Sequence, residues 1–259
     1  MVVGAVALVA GADPAAALRL GISMTALQAS IGTVNDLVDV ALDTGRKPGK
    51  PIPAGLVSVR GAGIAAIGWA ALGLGLAAVS GPALLALAGV VLAIGYGYDV
   101  WAKGTPWSWL PFALGIPILP VYGWYGATGA LADWFLVLVP AAMVAGGSLA
   151  IANARADAER DASAGSGSIA VALGDGRAWL IHAIGLALVI VVATGWLVAA
   201  GGPIPPLALV LLAVGTATIA SGVSLGQGTA AAARLERAWE LEAVGVAILA
   251  IGWLWAVAG

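Results

Sequence analysis

A chain of 259 residues with 61% hydrophobic and only 9% charged side chains is not a soluble globular domain, which carries roughly 25% charged residues. Its mean hydropathy of +1.03 makes it an integral membrane protein, and a net charge of −2 says less than where the charges sit. The absence of cysteine excludes disulfides, thiolate metal sites and cysteine nucleophiles, and no Walker loop, dinucleotide fingerprint or nucleic-acid patch is present.

Apolar runs separated by Gly/Pro or charged clusters predict nine helices, near 1–11, 14–38, 55–79, 82–99, 107–127, 131–153, 177–200, 204–226 and 239–258. The expected fold is therefore an all-α membrane protein, one transmembrane domain over 1–259 with about nine helices in a bundle. The first run is too short for a hydrocarbon core of roughly 30 Å, so a helix with a missing or misassigned start is expected there. No cleavable signal peptide is evident, because the N-terminus lacks a basic region. Every Lys and Arg except Arg19 falls in connections on one side, and so does every acid except Asp13 and Asp133. The positive-inside rule makes that side cytoplasmic, in a multi-pass protein of the cell membrane. Trp101, Trp107, Trp109, Trp134, Trp179 and Trp239 lie near span ends, as interfacial anchors do.

One pattern occurs twice on the charged side. Asn35, Asp39 and Asp43 are spaced by four, as are Asn153, Asp157 and Asp161. Steps of four on a helix keep side chains on one stripe, rising about 6 Å per step. Each stripe joins one Asn to two carboxylates at the end of an apolar span, where charge is costly unless it has a task. Asp36 adds an acid to the first set. Two such stripes facing each other suit divalent cations, which in turn hold phosphates. The stretch starting at Arg46 and Lys47 and running through Lys50 supplies opposite charge for phosphate oxygens, on a loop stiffened by Pro48, Pro51 and Pro53. Four helices separate equivalent points of the two motifs, which suggests pseudo-repeated halves.

Several neighbours carry blander readings. Glu159 points off the stripe and is expected to meet Arg155 or water. His182, the single histidine, is expected to be packed rather than catalytic. Asp99 reads as a cap or a partner of Lys103. Arg234, Glu236, Arg237, Glu240 and Glu242 read as a salt-bridged helix start. A cation-binding transporter would place acids near the bilayer midplane; these lie at span ends beside a basic loop, which favours diphosphate chemistry. Nothing in the sequence points to an obligate protein partner.

The run Asn35-Asp36-Leu37-Val38-Asp39-Val40-Ala41-Leu42-Asp43, followed by the loop ending Pro51-Ile52-Pro53-Ala54-Gly55, resembles the first signature of the UbiA-type intramembrane prenyltransferases. Asn153 to Gly174, with Asp157, Asp161, Gly165 and Ser168-Ile169-Ala170-Val171-Ala172-Leu173-Gly174, resembles the second. The resemblance implies transfer of an isoprenoid chain from a polyprenyl diphosphate to a lipophilic acceptor within the bilayer, releasing diphosphate. It implies two Mg²⁺ ions, one held by Asn35, Asp36, Asp39 and Asp43, the other by Asn153, Asp157 and Asp161. It implies diphosphate contacts from Lys50, and a Tyr–Lys pair matched by Tyr98 and Lys103. The expected acceptor is an aromatic quinone or chlorophyll-type precursor. A glycerophosphate lipid, haem, or acceptor-free cyclisation are the alternatives.

The chain departs from the family in lacking an Asn between Gly104 and Pro111 and an arginine-proline element before the first span. It also carries Ser168 for a frequent Thr and Ser166 for a basic residue. These departures bear on the acceptor, not on the acidic motifs. Elementary chemistry leads to the same reaction. An allylic diphosphate ionises when the leaving group's charge is neutralised, here with Lys50 or Lys103 beside it, and an apolar bundle shields the carbocation. Asp39 or Asp157 could take the acceptor's proton.

Overall fold

A computed structural model describes residues 2–44, 49–163, 165–228 and 231–258. Arg46 and Lys47 lie outside the described residues. Those described are helices and connecting turns: α1 Val2–Val9, α2 Pro14–Val38, α3 Val40–Asp43, α4 Val59–Ala78, α5 Pro82–Gly97, α6 Leu110–Gly115, α7 Ile118–Thr128, α8 Phe135–Ser163, α9 Ile169–Leu173, α10 Asp175–Ala200, α11 Pro206–Leu225 and α12 Ala232–Ala258. A π-helical turn over Tyr98–Ala102 continues α5.

Each of the nine expected segments turns up helical, but among the described residues six helices have both the length and the apolarity to cross a membrane. They are α4, α5 with its π-turn, α8, α10, α11 and α12. The described residues thus show the all-helical fold with six such helices and leave the count of nine unconfirmed. α2, at 25 residues, has the length; two of its serines bond inside the bundle. Ser23 donates to the Gly73 carbonyl at 2.8 Å and lies 2.6 Å from the Tyr122 hydroxyl, while Ser30 donates to the Ala66 carbonyl at 2.7 Å. The expected helix 107–127 is broken into α6 and α7, because Pro117 has no N–H to continue the ladder. α8 runs ten residues past its expected end at 153, and α12 starts seven residues before 239. In both cases polar residues outside the expected apolar span continue the helix.

The helices sort into two packed groups. α1, α2, α4, α5 and α7 share a core that includes Leu20, Leu27, Leu84 and Tyr122; α8, α10, α11 and α12 share one that includes Leu186, Ile219, Leu249 and Trp253. Within the second group α11 and α12 touch backbone to backbone. A Cβ on Gly245 would lie 2.7 Å from the Ile219 nitrogen and 2.9 Å from the Gly215 carbonyl oxygen. Small residues allow such approach where lipid supplies no hydrophobic drive. Gly245→Leu is accordingly expected to separate this pair, lowering the detergent-solubilised melting temperature by more than roughly 10 °C, since overpacking against backbone has no side chain to move aside. A thermal shift within 2 °C of wild type would refute close packing here.

Among the buried polar residues of the second group, His182 follows the sequence reading and Glu242 departs from it. His182 is 1% exposed, as expected of a packed residue, with Nδ1 donating to the Ala178 carbonyl at 3.0 Å. Its Nε2 lies 3.4 Å from Glu242, which is buried within the bundle rather than part of a surface charge array. Arg155 is also buried and meets Asp175, not Glu159, which is exposed.

Candidate functional site

The site forms where the charged ends of the two helix groups meet. At Asp39 the backbone (φ −83°, ψ −5°) interrupts α2 and starts α3. The four-residue ladder survives the interruption: the Asp39 N–H donates to the Asn35 carbonyl at 3.0 Å and the Asp43 N–H to the Asp39 carbonyl at 2.8 Å. Asn35, Asp39 and Asp43 therefore keep one face, with Asp39 and Asp43 buried.

Lys50 reaches back to that face from a turn closed by the Ala54 N–H on the Lys50 carbonyl, 3.0 Å. Its ammonium lies 2.7 Å from Asp36, 2.6 Å from Asp43 and 3.7 Å from Asp39. Partial burial pulls the Lys50 ammonium toward its neutral form, but hydrogen bonds and charge from Asp36 and Asp43 outweigh this and raise its pKa. A lysine whose folded pKa is raised stays charged through neutral pH, so its pairing weakens only on the alkaline side. Lys103 donates to Asp39 from beyond the π-turn. Three carboxylates from one motif are thus gathered on cationic groups.

The π-turn places two more residues here. Asp99, 4% exposed, accepts from the Asn35 side-chain amide at 2.7 Å. Tyr98 packs edge-on to Phe112 at 5.2 Å.

The second stripe is the more open one. Asp157 is half-exposed and pairs with Arg160 at 2.7 Å; Asn153 and Asp161 are partly exposed. On the opposite face of α8, Arg155 anchors the stripe by donating to Asp175 at 2.8 Å and to the Gly226 carbonyl at 3.0 Å. The loops beyond the motifs also touch: the Gly104 carbonyl accepts from the Gly167 N–H at 3.0 Å and the Ser166 hydroxyl at 3.3 Å. Below Tyr98 an apolar cavity of about 400 Å³ descends between α2, α5, α6 and α7, past Ile31, Ile94, Phe112, Leu119 and Met24 to Val3.

Among the described residues no three His, Cys, Asp or Glu side chains form a ready-made metal cage. The donor set nonetheless fits a hard cation. Its ligands are oxygens, and an ammonium already occupies the acidic face as a stand-in charge. Mg²⁺ commonly takes only one or two carboxylates and completes its shell with water and phosphate. Of the residues singled out in the sequence, Asn35, Asp36, Asp39, Asp43, Lys50, Tyr98 and Lys103 are brought into one cluster. Asn153, Asp157 and Asp161 lie on α8, and the loop that follows it touches Gly104 just beyond Lys103. Asp99 was underrated, and only the geometry of the π-turn reveals why: it meets Asn35, and the ammonium of Lys103 goes to Asp39.

Comparison with known proteins agrees with the fold. The fold matches a UbiA homolog from Aeropyrum pernix K1 with a TM-score of 0.76 at 22% identity, covering 96% of this chain and 94% of that one. It matches a UbiA homolog from Archaeoglobus fulgidus bound to GPP and Mg²⁺ with a TM-score of 0.73 at 21% identity, covering 98% and 94%. A digeranylgeranylglyceryl phosphate synthase from Methanopyrus kandleri is 40% identical over 73 residues, a match spanning 28% of this chain and only 27% of that relative. The family model of the UbiA prenyltransferase family matches residues 1–241, nearly the whole chain, and the protein belongs to that family.

Proposed function

We propose that this protein is a membrane-embedded prenyltransferase that moves an isoprenoid chain from a polyprenyl diphosphate to a lipophilic acceptor. The observation that carries this is the gathering of Asn35, Asp36, Asp39, Asp43, Lys50 and Lys103 into one charged cluster beside the π-turn whose Tyr98 lines an apolar cavity. Asn35, Asp36, Asp39 and Asp43 would hold one Mg²⁺, and Asn153, Asp157 and Asp161 a second. When bound, the ions neutralise the diphosphate and make it a better leaving group. The Archaeoglobus relative, solved bound to GPP and Mg²⁺, supports Mg²⁺ and a prenyl diphosphate as the ligands.

The chain's own residues do the rest. Lys50 and Lys103 turn their ammonium groups from carboxylates to the diphosphate oxygens as the donor arrives. The cavity walls take the hydrocarbon tail and keep water from the allylic cation as the C1–O bond breaks and its electron pair leaves with the diphosphate. The acceptor's oxygen or ring carbon then bonds to C1, and its proton passes to a carboxylate, Asp39 or Asp157. The face carrying the motifs is assigned to the cytoplasmic side of the cell membrane from its Lys and Arg bias. The chain acts as one transmembrane domain, with no protein partner required.

For the acceptor, an aromatic quinone or chlorophyll-type precursor remains one reading. The partial match to the Methanopyrus synthase favours a second, a glycerophosphate lipid. The test is Mg²⁺-dependent diphosphate release by detergent-purified protein given geranyl, farnesyl or geranylgeranyl diphosphate, with an aromatic pool or a glycerophosphate lipid. Release that requires one acceptor class supports transfer and names that class. Release without acceptor replaces transfer by cyclisation or hydrolysis, and no release with any donor overturns the proposal.

A further inference from the structure

The π-turn at the end of α5 buries a carboxylate for which the fold shows no structural use. Asp99 caps no helix, and its Oδ2 has no hydrogen-bond partner among the described residues. Leaving half a buried carboxylate unsatisfied is costly, so retaining one at a site calls for a reason. Its other oxygen supplies that reason. Asp99 Oδ1 lies 2.7 Å from the side-chain nitrogen of Asn35, the first residue of the first acidic motif.

A carboxylate only accepts, so the group Asn35 turns toward Asp99 must be its NH₂. That fixes the amide: its oxygen is directed away from Asp99 and left free for another partner. A hard cation binds that oxygen and cannot bind the NH₂. We propose that Asp99 is a positioning residue that locks the Asn35 amide with its oxygen presented to the cation–diphosphate site. The inference rests on reading the two motifs as such a site. It makes the π-turn functional, since an α-helical turn would set Asp99 at a different angle to α2; wide turns of this kind recur at functional sites.

The probe is Mn²⁺ with inorganic diphosphate, its binding to the full chain in detergent followed by electron paramagnetic resonance, without turnover. Asp99→Ala is expected to weaken binding by about 10- to 100-fold, the range for partners that orient metal ligands. Its melting temperature should stay close to wild type, because the lost bond to Asn35 is offset by removing a buried oxygen that has no partner among the described residues; a purely structural residue would lower it. Asp99→Asn, which offers Asn35 either an oxygen or an NH₂, should weaken binding by about 10-fold. Asn35→Asp alone sets two carboxylates face to face and should bind poorly. Combined as Asn35→Asp/Asp99→Asn, the pair is reversed: residue 99 donates, residue 35 keeps an oxygen for the cation, and affinity should return to within about threefold of wild type.

Wild-type affinity in Asp99→Ala, or a reversed pair no tighter than Asn35→Asp, overturns the role of Asp99 while the prenyltransferase reading stands. A wild type that binds no Mn²⁺–diphosphate overturns that reading, and the role of Asp99 with it.

Discussion

Asp39→Ala is expected to reduce diphosphate release at least 10³-fold, the largest loss of any single substitution in the first motif. Asp39 is the carboxylate on which both lysines converge, and it is only 5% exposed. Its removal takes away a cation ligand and also frees the Lys103 ammonium from its anchor. Losing one preorganised electrostatic partner of a reacting group costs about 10²–10³ in rate. Here two partners are disturbed together, so the upper end or beyond is expected. Asp39→Asn keeps the shape and removes the charge; it should lose nearly as much, showing that charge and not packing is at stake.

Asp36 offers the contrast. Its side chain is 36% exposed and meets Lys50 alone among the described pairs, so Asp36→Ala should lose about 10-fold less than Asp39→Ala. Steady-state release at saturating Mg²⁺, with circular dichroism to confirm folding, decides the order. Asp39→Ala retaining more than about a tenth of wild-type activity would remove this residue from the chemistry.

How much of this was readable in the sequence depends on the kind of information each feature needs. The acidic stripes were legible because a period of four on a helix is local, and an Asp at a span end has few innocent explanations. Lys50 was legible as a basic residue near them. Its three-carboxylate grip was not, since that depends on the turn at Lys50–Gly55 folding back. The break at Pro117 was visible as a proline but lost within an apolar run. The stripe of Asn153, Asp157 and Asp161 was legible as helical while the apolar span was ended at 153, because apolarity bounds a span and Asp, Glu and Arg can still continue its helix in water. Asp99 and Glu242 illustrate the deeper limit. Each sits in sequence like a solvated charge at a helix end. Each is buried because a residue far along the chain, Asn35 or His182, meets it.

Arg155 shows the same dependence and carries the second large effect. From the sequence it is one more basic residue inside an acidic motif. In the fold its side chain is 2% exposed, and one guanidinium joins three helix segments: α8 by its own position, α10 through Asp175, and α11 through the Gly226 carbonyl. Because residues two apart on a helix point to nearly opposite faces, Arg155 grips the back of α8 while Asn153 and Asp157 face the site. Arg155→Ala leaves the Gly226 carbonyl without this donor and removes packing as well as charge. Since Asp175 is 43% exposed and partly rehydrates, the cost is set at about 2–3 kcal/mol, below that of a fully buried pair.

That corresponds to a fall of roughly 5–10 °C in melting temperature. Activity should drop mainly through a raised Mg²⁺ requirement, because the second stripe loses its angular reference while its carboxylates remain. Arg155→Lys should recover less than half of either loss, since an ammonium cannot reach both partners in the planar fork that Arg provides. Arg160 makes the control. It pairs with Asp157 at 2.7 Å but is 58% exposed, so Arg160→Ala should shift stability by less than about 0.5 kcal/mol. If Arg160→Ala proves the more damaging of the two, the second stripe is held from its solvent side, and the buried clamp has no bearing on catalysis.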